Sequence, residues 1–302
     1  MRWLARGADR RLDPARVLPG VRTLVVGAVR YGPQPPPPAA PLAGEVSCYA
    51  WGEDYHRVVG ARAAAVAAYI RRQFDARAVE YVDTGPVLER LWAARAGVGW
   101  IGKNALVLNR DQGSFLFLAV VLTDLELPPD EAALDQCGSC SLCVEACPTG
   151  AIVEPRVVDS RRCLSYHTIE LRGPFPEEHR EAAAARVFGC DDCQTACPWN
   201  QGGPPAPGPF LPREGDARPD LPALLSLSPA GYSGRFRGTA IKRATYAGIR
   251  RNAAVALGNA LADPGPLSGG DRARALAALE AAETDPDPAV AEAARWARAR
   301  AR

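Results

Sequence analysis

The sequence predicts a mixed α/β domain that carries an inserted cysteine module and is followed by a helical C-terminal unit. Three observations support this. An apolar, β-branched run near the start leads into alternating strand-like and helix-like segments. Two cysteine runs lie between residues 136 and 200, and three Ala-rich helical stretches close the chain. The length of 302 residues suits one to two domains, and 47% hydrophobic with 23% charged residues is a globular composition.

Val21 to Val29 is a continuous apolar run and reads as a buried strand. The prolines from Pro33 to Pro41 exclude regular structure there. Asp54 to Phe74 reads as a helix, with Val58, Val59, Ala65, Val66, Tyr69 and Ile70 at helical spacing. Ala78 to Val82 reads as a second strand, and Val87 to about Ala96 as a second helix. Ala105 to Leu108 and Ser114 to Thr123 read as a hairpin joined at Asp111 to Gly113. Residues 136–200 read as loops with short helices, and the Gly- and Pro-rich Gln201 to Pro222 as a linker or an irregular connection. Ala240 to Leu261, Asp271 to Glu283 and Pro288 to Ala301 form a small helical-repeat unit. The expected domain boundaries are 1–130, 131–202 and 203–302.

The net charge of +2 does not announce a nucleic-acid partner. Arg outnumbers Lys, which occurs only at positions 103 and 242; base composition accounts for that bias, so Arg counts as evidence only where it clusters. The longest apolar run, Phe115 to Leu122, is too short to span a bilayer, and the start, Met1 to Gly7, has neither an apolar signal core nor a twin-arginine leader. A cytoplasmic protein with no membrane partner is expected.

Nine cysteines weigh more than the charge. In a reducing compartment, clustered cysteines are metal ligands or catalytic groups rather than disulfides. The first run, Cys137-x2-Cys140-x2-Cys143-x3-Cys147-Pro148, has the bacterial ferredoxin spacing, in which three close thiolates cap one cubane and the fourth serves its neighbour. The second, Cys190-x2-Cys193-x3-Cys197-Pro198, lacks its leading cysteine because Val187 stands there. Two 4Fe-4S clusters need one more thiolate than the two runs supply. Cys163, between them, is the natural choice, and Cys48 is the other candidate. The resulting assignment gives cluster one Cys137, Cys140, Cys143 and Cys197, and cluster two Cys147, Cys163, Cys190 and Cys193. Zinc prefers two CxxC pairs completing one tetrahedron and fits this spacing poorly. Gly97-x-Gly99-x-x-Gly102 has the outline of a dinucleotide loop but follows a helix rather than a strand, which discounts it.

Several segments together resemble the epoxyqueuosine reductase family. They are Tyr49-Ala-Trp-Gly-Glu-Asp-Tyr-His56, Val82-Asp-Thr-Gly-Pro-Val-Leu-Glu-Arg90, Ala96-Gly-Val-Gly-Trp-Ile-Gly-Lys103, Cys163-Leu-Ser-Tyr-His-Thr-Ile-Glu170, Gly189-Cys-Asp-Asp-Cys-Gln-Thr-Ala-Cys-Pro-Trp-Asn200, Phe236-Arg-Gly-Thr-Ala-Ile-Lys-Arg243 and Arg251-Asn-Ala-Ala-Val-Ala-Leu-Gly-Asn259. The resemblance covers nearly the whole chain, although members of that family carry further residues ahead of the segment matching Met1 to Arg6. It implies a cobalamin-binding α/β domain, a two-cluster ferredoxin-like module and a HEAT-like helical domain. It also implies reduction of the epoxide of epoxyqueuosine, at the wobble position of tRNA, to the alkene of queuosine, with electrons from an unidentified low-potential donor. A monomer is expected.

By the same resemblance Asp83 is the proton donor, and its setting between Val82 and Pro86 is expected to raise its pKa. Arg11, Trp51, Asp83, Ser165 and Asp191 are the implied cobalamin contacts, Trp51 through its backbone; His56 is expected to pack or hydrogen-bond near the pocket, and His167 is not a cobalt ligand. Between Gly231 and Asn252, Arg235, Arg237, Lys242, Arg243, Arg250 and Arg251 interleave with Tyr232, Phe236 and Tyr246 without an acidic residue. Charge patterning alone reads this as a solvated face, but the resemblance makes it a tRNA-binding stripe, with Arg172 as a further contact. Three other readings are weighed. A cobalamin and iron–sulfur reductive dehalogenase would bring a twin-arginine leader and no basic helical tail. A ferredoxin-like electron carrier would need neither the α/β domain nor Asp83. An RNA-binding helical scaffold would carry its clusters as structural elements only.

Overall fold

The computed structural model describes residues 7–33, 36–202, 206–263, 265 and 267–301. The first six residues and residues 34 and 35 of the proline loop lie outside them. The N-terminal region builds β1 (Thr23–Arg30), α1 (Tyr55–Phe74), β2 (Ala78–Tyr81), α2 (Glu89–Arg95) and β3 (Leu116–Thr123). The three strands form one antiparallel sheet in the order β1-β3-β2, with Thr23 opposite Thr123 and Tyr81 opposite Val120.

β3 takes the centre because it is apolar on both faces. Val120 and Leu122 pack with Leu18 and Val87 on one side, and Val121 packs with Ala67 and Ile70 of α1 on the other. This corrects the expected hairpin. Val107–Leu108 pairs with Trp100–Ile101, and β3 leaves it to be flanked by β1 and β2. On α1 the buried stripe is Val59, Ala63, Ala67 and Ile70, while Val66 and Tyr69 are exposed. Alanines on the inner face allow close approach to the sheet, so they decide which stripe is covered.

The cysteine module holds helices of only four to six residues, among them α3 (Leu142–Glu145), α4 (Leu164–Ile169) and α5 (Asp192–Thr195), with Glu177–Arg180 as a further turn. A short parallel pairing of Glu45–Val46 with Arg186–Phe188 ties it to the first region. Gly189 makes this junction possible: its φ is +72°, and a Cβ there would stand 2.4 Å from Ser47 Cβ.

Of the two readings of Gln201 to Pro222, the described residues from 206 onward follow the irregular connection, a strap held to the rest of the protein. Arg213 N donates to Trp51 O, Glu53 N to Pro209 O and Gly44 N to Pro219 O, and Phe210 is fully buried against Phe117. Its end already starts α6 (Leu221–Leu225), followed by α7 (Pro229–Arg235), a 3-10 turn at Ala240–Ala244, α8 (Tyr246–Ala262), α9 (Gly269–Ala282) and α10 (Pro288–Ala299). The largest buried cluster runs from Tyr31 to Ala297, so all three regions share one core. No helix among the described residues is long and apolar enough to cross a membrane.

α8 is buried on all sides from Gly248 to Gly258. That placement corrects the expectation that Arg250 and Arg251 face RNA. Arg251 is 1% exposed and donates to the carbonyls of His167 (2.6 Å), Gly173 (2.6 Å) and Leu171 (3.1 Å). Arg250 donates to Leu225 O at 2.7 Å and pairs with Asp285. Asn252 and Asn259 bond four further carbonyls, Thr168 O, Val187 O, Arg180 O and Ala184 O. The basic end of the stripe is therefore a staple between the helical unit and the cysteine module.

Arg251→Ala removes the partner of three carbonyls, that of His167 fully buried, and is expected to cost about 3 kcal/mol in denaturant unfolding, while Lys242→Ala, at an exposed position, stays within about 0.5 kcal/mol. An unchanged unfolding midpoint for Arg251→Ala would contradict the staple.

Candidate functional site

Cys137, Cys140, Cys143 and Cys197 line one cavity of about 80 Å³, together with Leu108, Trp199 and Lys103. The four thiols surround the space from two sequence neighbourhoods. Lys103 Nζ donates to Gly138 O (2.8 Å) and Cys140 O (2.7 Å) and so clasps the first run from outside. Trp100 Nε1 donates to Cys137 Sγ at 3.3 Å, and its ring meets Trp199 edge-on at 5.1 Å.

The remaining assigned cysteines form an adjoining group. Burial pushes the Cys193 thiol well up, and Cys190, Cys163 and Cys143 each push it further. Burial also raises Cys163, and Cys147 adds to it. Cys190 is pushed up to about 12 by burial, with Asp192 adding to the shift. Cys193 is thus within electrostatic reach of Cys190, Cys163 and Cys143, and Cys163 within reach of Cys147. Thiols this close and this buried resist ionisation by themselves; cationic irons reverse that balance. Ala151 N donates to Cys147 Sγ at 3.2 Å. Cys48, the alternative ligand, instead has its thiol and amide turned toward the carboxylate of Asp191.

Asp83 sits just beyond β2, in the left-handed region at φ 57°, a conformation Asp tolerates better than most residues. Its side chain is 59% exposed. Tyr55 Oη donates to Asp83 Oδ2 at 2.8 Å, and His56 Nε2 lies 3.3 Å from the same oxygen. The hydrogen bond to His56 comes first among the causes that hold the Asp83 carboxyl below its ordinary value. The expected upward shift is thus corrected: the flanking apolar residues do not cover the carboxylate, and a cationic ring does reach it. His56 Nδ1 lies 2.8 Å from Oδ1 of Asp54, the N-cap of α1. These two carboxylates raise His56 to about 9. Glu89 accepts from Asp83 N, and burial raises it to about 7.

Arg243 stands on the same side, since its charge acts on Asp83. It grips Glu170 with both nitrogens at 2.6 and 3.0 Å, and its carbonyl accepts from Arg172 at 2.9 Å. Glu170 is the C-cap of α4, and Cys163 is its N-cap. One six-residue helix therefore connects the second thiol group to the surroundings of Asp83, a rise of about 9 Å.

The other expected residues are spread more widely. Trp51 is buried, donates its indole N–H to Val46 O at 2.6 Å, and lines a cavity of about 340 Å³ with Cys190, Asp191, Arg186 and Arg218. The Asp191 carboxylate accepts from Ser47 Oγ (2.5 Å) and Cys48 N (2.8 Å). Asp83, Ser165 and Arg11 are not on that cavity's wall. Ser165 is half-buried in the first turn of α4, and Arg11 lies in the short helix Ala8–Leu12. Arg237 and Lys242 are exposed; Arg235 is tied to Asp216 and Gly215 O. Tyr55, Glu170, Glu89 and Trp100 were not singled out from the sequence, although all four fall inside segments that carried the resemblance.

The family described as 4Fe-4S double cluster binding domain matches residues 136–200, and the family described as epoxyqueuosine reductase QueG, DUF1730 matches residues 11–84. The chain is an iron–sulfur oxidoreductase. The epoxyqueuosine reductase of Salmonella typhimurium is 43% identical over 266 residues, covering 86% of this chain and 69% of its own. That of Synechocystis sp. is 40% identical over 257 residues, covering 84% and 88%, and that of Pseudomonas aeruginosa is 40% identical over 306 residues, covering 98% and 82%. The chain belongs to the epoxyqueuosine reductase family. Its fold is similar to that of an epoxyqueuosine reductase crystallised with an epoxyqueuosine-modified tRNA-Tyr stem loop, with a TM-score of 0.88 at 30% identity over 97% of this chain and 77% of that one. It is equally similar to the Bacillus subtilis enzyme whose catalytic aspartate loop is swung out of the active site, at the same TM-score, identity and coverage.

The indole N–H on Cys137 Sγ stabilises the more negative, reduced state of a cluster held there. Trp100→Phe keeps the ring and removes the donor. The cluster-one potential is expected to fall by on the order of 40 mV in a redox titration, one net hydrogen bond's worth for a one-electron couple. An unchanged or raised potential would exclude the contact.

Proposed function

We propose that this chain reduces the epoxide of epoxyqueuosine in tRNA to the alkene of queuosine, using two 4Fe-4S clusters and cobalamin. The single observation that carries the reading is the cavity in which Cys197 joins Cys137, Cys140 and Cys143. A thiol from the second run completing the first set is the exchange that the two-cluster ferredoxin arrangement requires. Cys147, Cys163, Cys190 and Cys193 then hold cluster two, at the N-terminal end of α4.

The cofactor is placed between Cys163 and Asp83, whose surroundings α4 and the Arg243–Glu170 pair connect. Ser165 stands at its thiol end and the open carboxylate of Asp83 at the other. Trp51 and Asp191, whose polar side-chain groups are engaged inside the protein, act as wall and backbone contacts, with Arg11 an outer contact. Cobalamin would supply a low-valent cobalt that takes electrons singly and is reactive toward a strained ring. Asp83 delivers the proton that turns the epoxide oxygen into a leaving group; the complete reaction consumes two electrons and two protons and releases water.

Regions 1–130, 131–202 and 203–302 act as cofactor domain, cluster module and HEAT-like RNA-binding unit. A modified tRNA stem loop is the ligand named for a relative of this fold. On this chain Arg172, Arg237, Lys242 and Arg243 are the phosphate contacts, Arg235 supports them, and Arg250 and Arg251 drop out because they are buried. The protein works as a monomer in the cytoplasm with an external low-potential donor.

Anaerobic incubation of the iron-loaded protein with cobalamin, a strong reductant and epoxyqueuosine-containing tRNA, followed by nucleoside mass spectrometry, is expected to yield queuosine. Asp83→Asn is expected to keep its iron and yield none. Absence of queuosine from the unaltered protein would sink the proposal.

A further inference from the structure

We propose that His56 is the proton store that recharges Asp83, held as an imidazolium between the carboxylates of Asp54 and Asp83. The inference rests on the reading of Asp83 as proton donor and deepens it. That reading leaves a difficulty, because the structure holds Asp83 as an exposed carboxylate with its pKa lowered, and an ionised carboxylate has no proton to give.

The geometry supplies the proton next door. His56 Nδ1 is 2.8 Å from Asp54 Oδ1, and Nε2 is 3.3 Å from Asp83 Oδ2. A neutral imidazole carries one N–H and one lone pair, so one of its nitrogens would point a lone pair at a carboxylate oxygen. Only the imidazolium donates in both directions. The ring is fixed in this orientation by stacking on Tyr55 at 4.1 Å, and Tyr55 in turn stacks on Phe117 at 4.4 Å. Tyr55 Oη on Asp83 Oδ2 fixes the acceptor as well.

The groups facing this ring come from three places. Asp54 and Tyr55 belong to the start of α1, Asp83 to the turn after β2 and Glu89 to the start of α2, while Arg243, from the C-terminal unit, acts on Asp83 rather than on the ring. The positive end of α1 opposes a cation at its second residue. Asp54 and Asp83 outweigh it, and His56 is raised to about 9.

In the relay, the Nε2–H bond of His56 breaks as the proton moves to a carboxylate oxygen of Asp83. Asp83 passes that proton to the epoxide oxygen as the C–O bond opens. His56, then neutral, takes a proton from solvent. Two passes supply the two protons of one turnover, and the released water carries the oxygen away. The two electrons come from the reductant that the reductase reaction already requires. His56 does not touch the reacting atoms; it is a positioning and relay residue that acts through Asp83.

The test has a direct and a kinetic part, both on the intact, iron-loaded chain. The chain has three histidines, His56, His167 and His179, so labelled-histidine magnetic resonance can resolve each. His56 is expected to stay an imidazolium through neutral pH and to titrate near 9; in Asp83→Asn its midpoint falls. In turnover, the unaltered protein is expected to hold its rate up to about pH 8 and lose it above. His56→Gln, with iron content and tRNA affinity retained, is expected to fall about tenfold per pH unit across the neutral range, because the proton must then reside on Asp83 itself. A neutral His56 at pH 7, or a His56→Gln profile parallel to the unaltered one, overturns the relay. Full activity of Asp83→Asn would instead overturn the reading of Asp83, and leaves the resonance result to stand as a finding about the ion cluster alone.

Discussion

The arrangement depends on gathering eight thiols from distant stretches of chain, all but Cys140 at least partly buried. The better-covered thiols oppose that assembly, because burial raises Cys143, Cys163, Cys190, Cys193 and Cys197, and neighbouring thiols raise Cys193 further. The helices around it have only four to six residues and cannot stand alone in water. The clamp therefore comes from outside. Lys103 closes on the carbonyls of Gly138 and Cys140, Asn200 bonds the Ser114 backbone N–H and Gln194 O, and Arg251 and Asn252 hold the α4 region and the strand before Cys190. Gly189 lets the Cys190 loop lie directly on Ser47.

Asp83, the proposed proton donor, is built away from the thiols. Asp83 occupies a strained backbone position on a turn and shares its carboxylate with a phenol and a ring nitrogen. Its exposed face is left for a substrate, and its charge is balanced from behind by His56 and at longer range by Arg243. Through Glu170, Arg243 also belongs to the end of the helix that starts at Cys163. The surroundings of Asp83 and the second thiol group are thus connected by six residues of α4.

Much of this was legible in the sequence. Strand β1, helix α1, the two cysteine runs and the three C-terminal helices follow from periodicity and spacing, which are local properties. What failed was information that lies elsewhere in the chain. Whether β3 is an edge or a centre depends on β1 and β2 both reaching it. Whether Arg250 and Arg251 are solvated depends on carbonyls 25 to 84 residues away, and no pattern of charges on one helix reveals them. The direction of the Asp83 shift depends on His56, 27 residues earlier, and not on its apolar neighbours. The strap from 206 to 222 has the composition of a linker because its hydrogen bonds are made by the backbone, which composition does not record.

The central claim is that two thiol sets, exchanged between the cysteine runs, hold a pair of adjacent cubanes. Iron analysis with paramagnetic resonance of oxygen-free, dithionite-reduced protein tests it most directly. The account predicts about eight irons per chain and two magnetically interacting four-iron signals, the first of them lost in Cys197→Ser. Bound zinc, or one isolated four-iron signal in the unaltered chain, would contradict it.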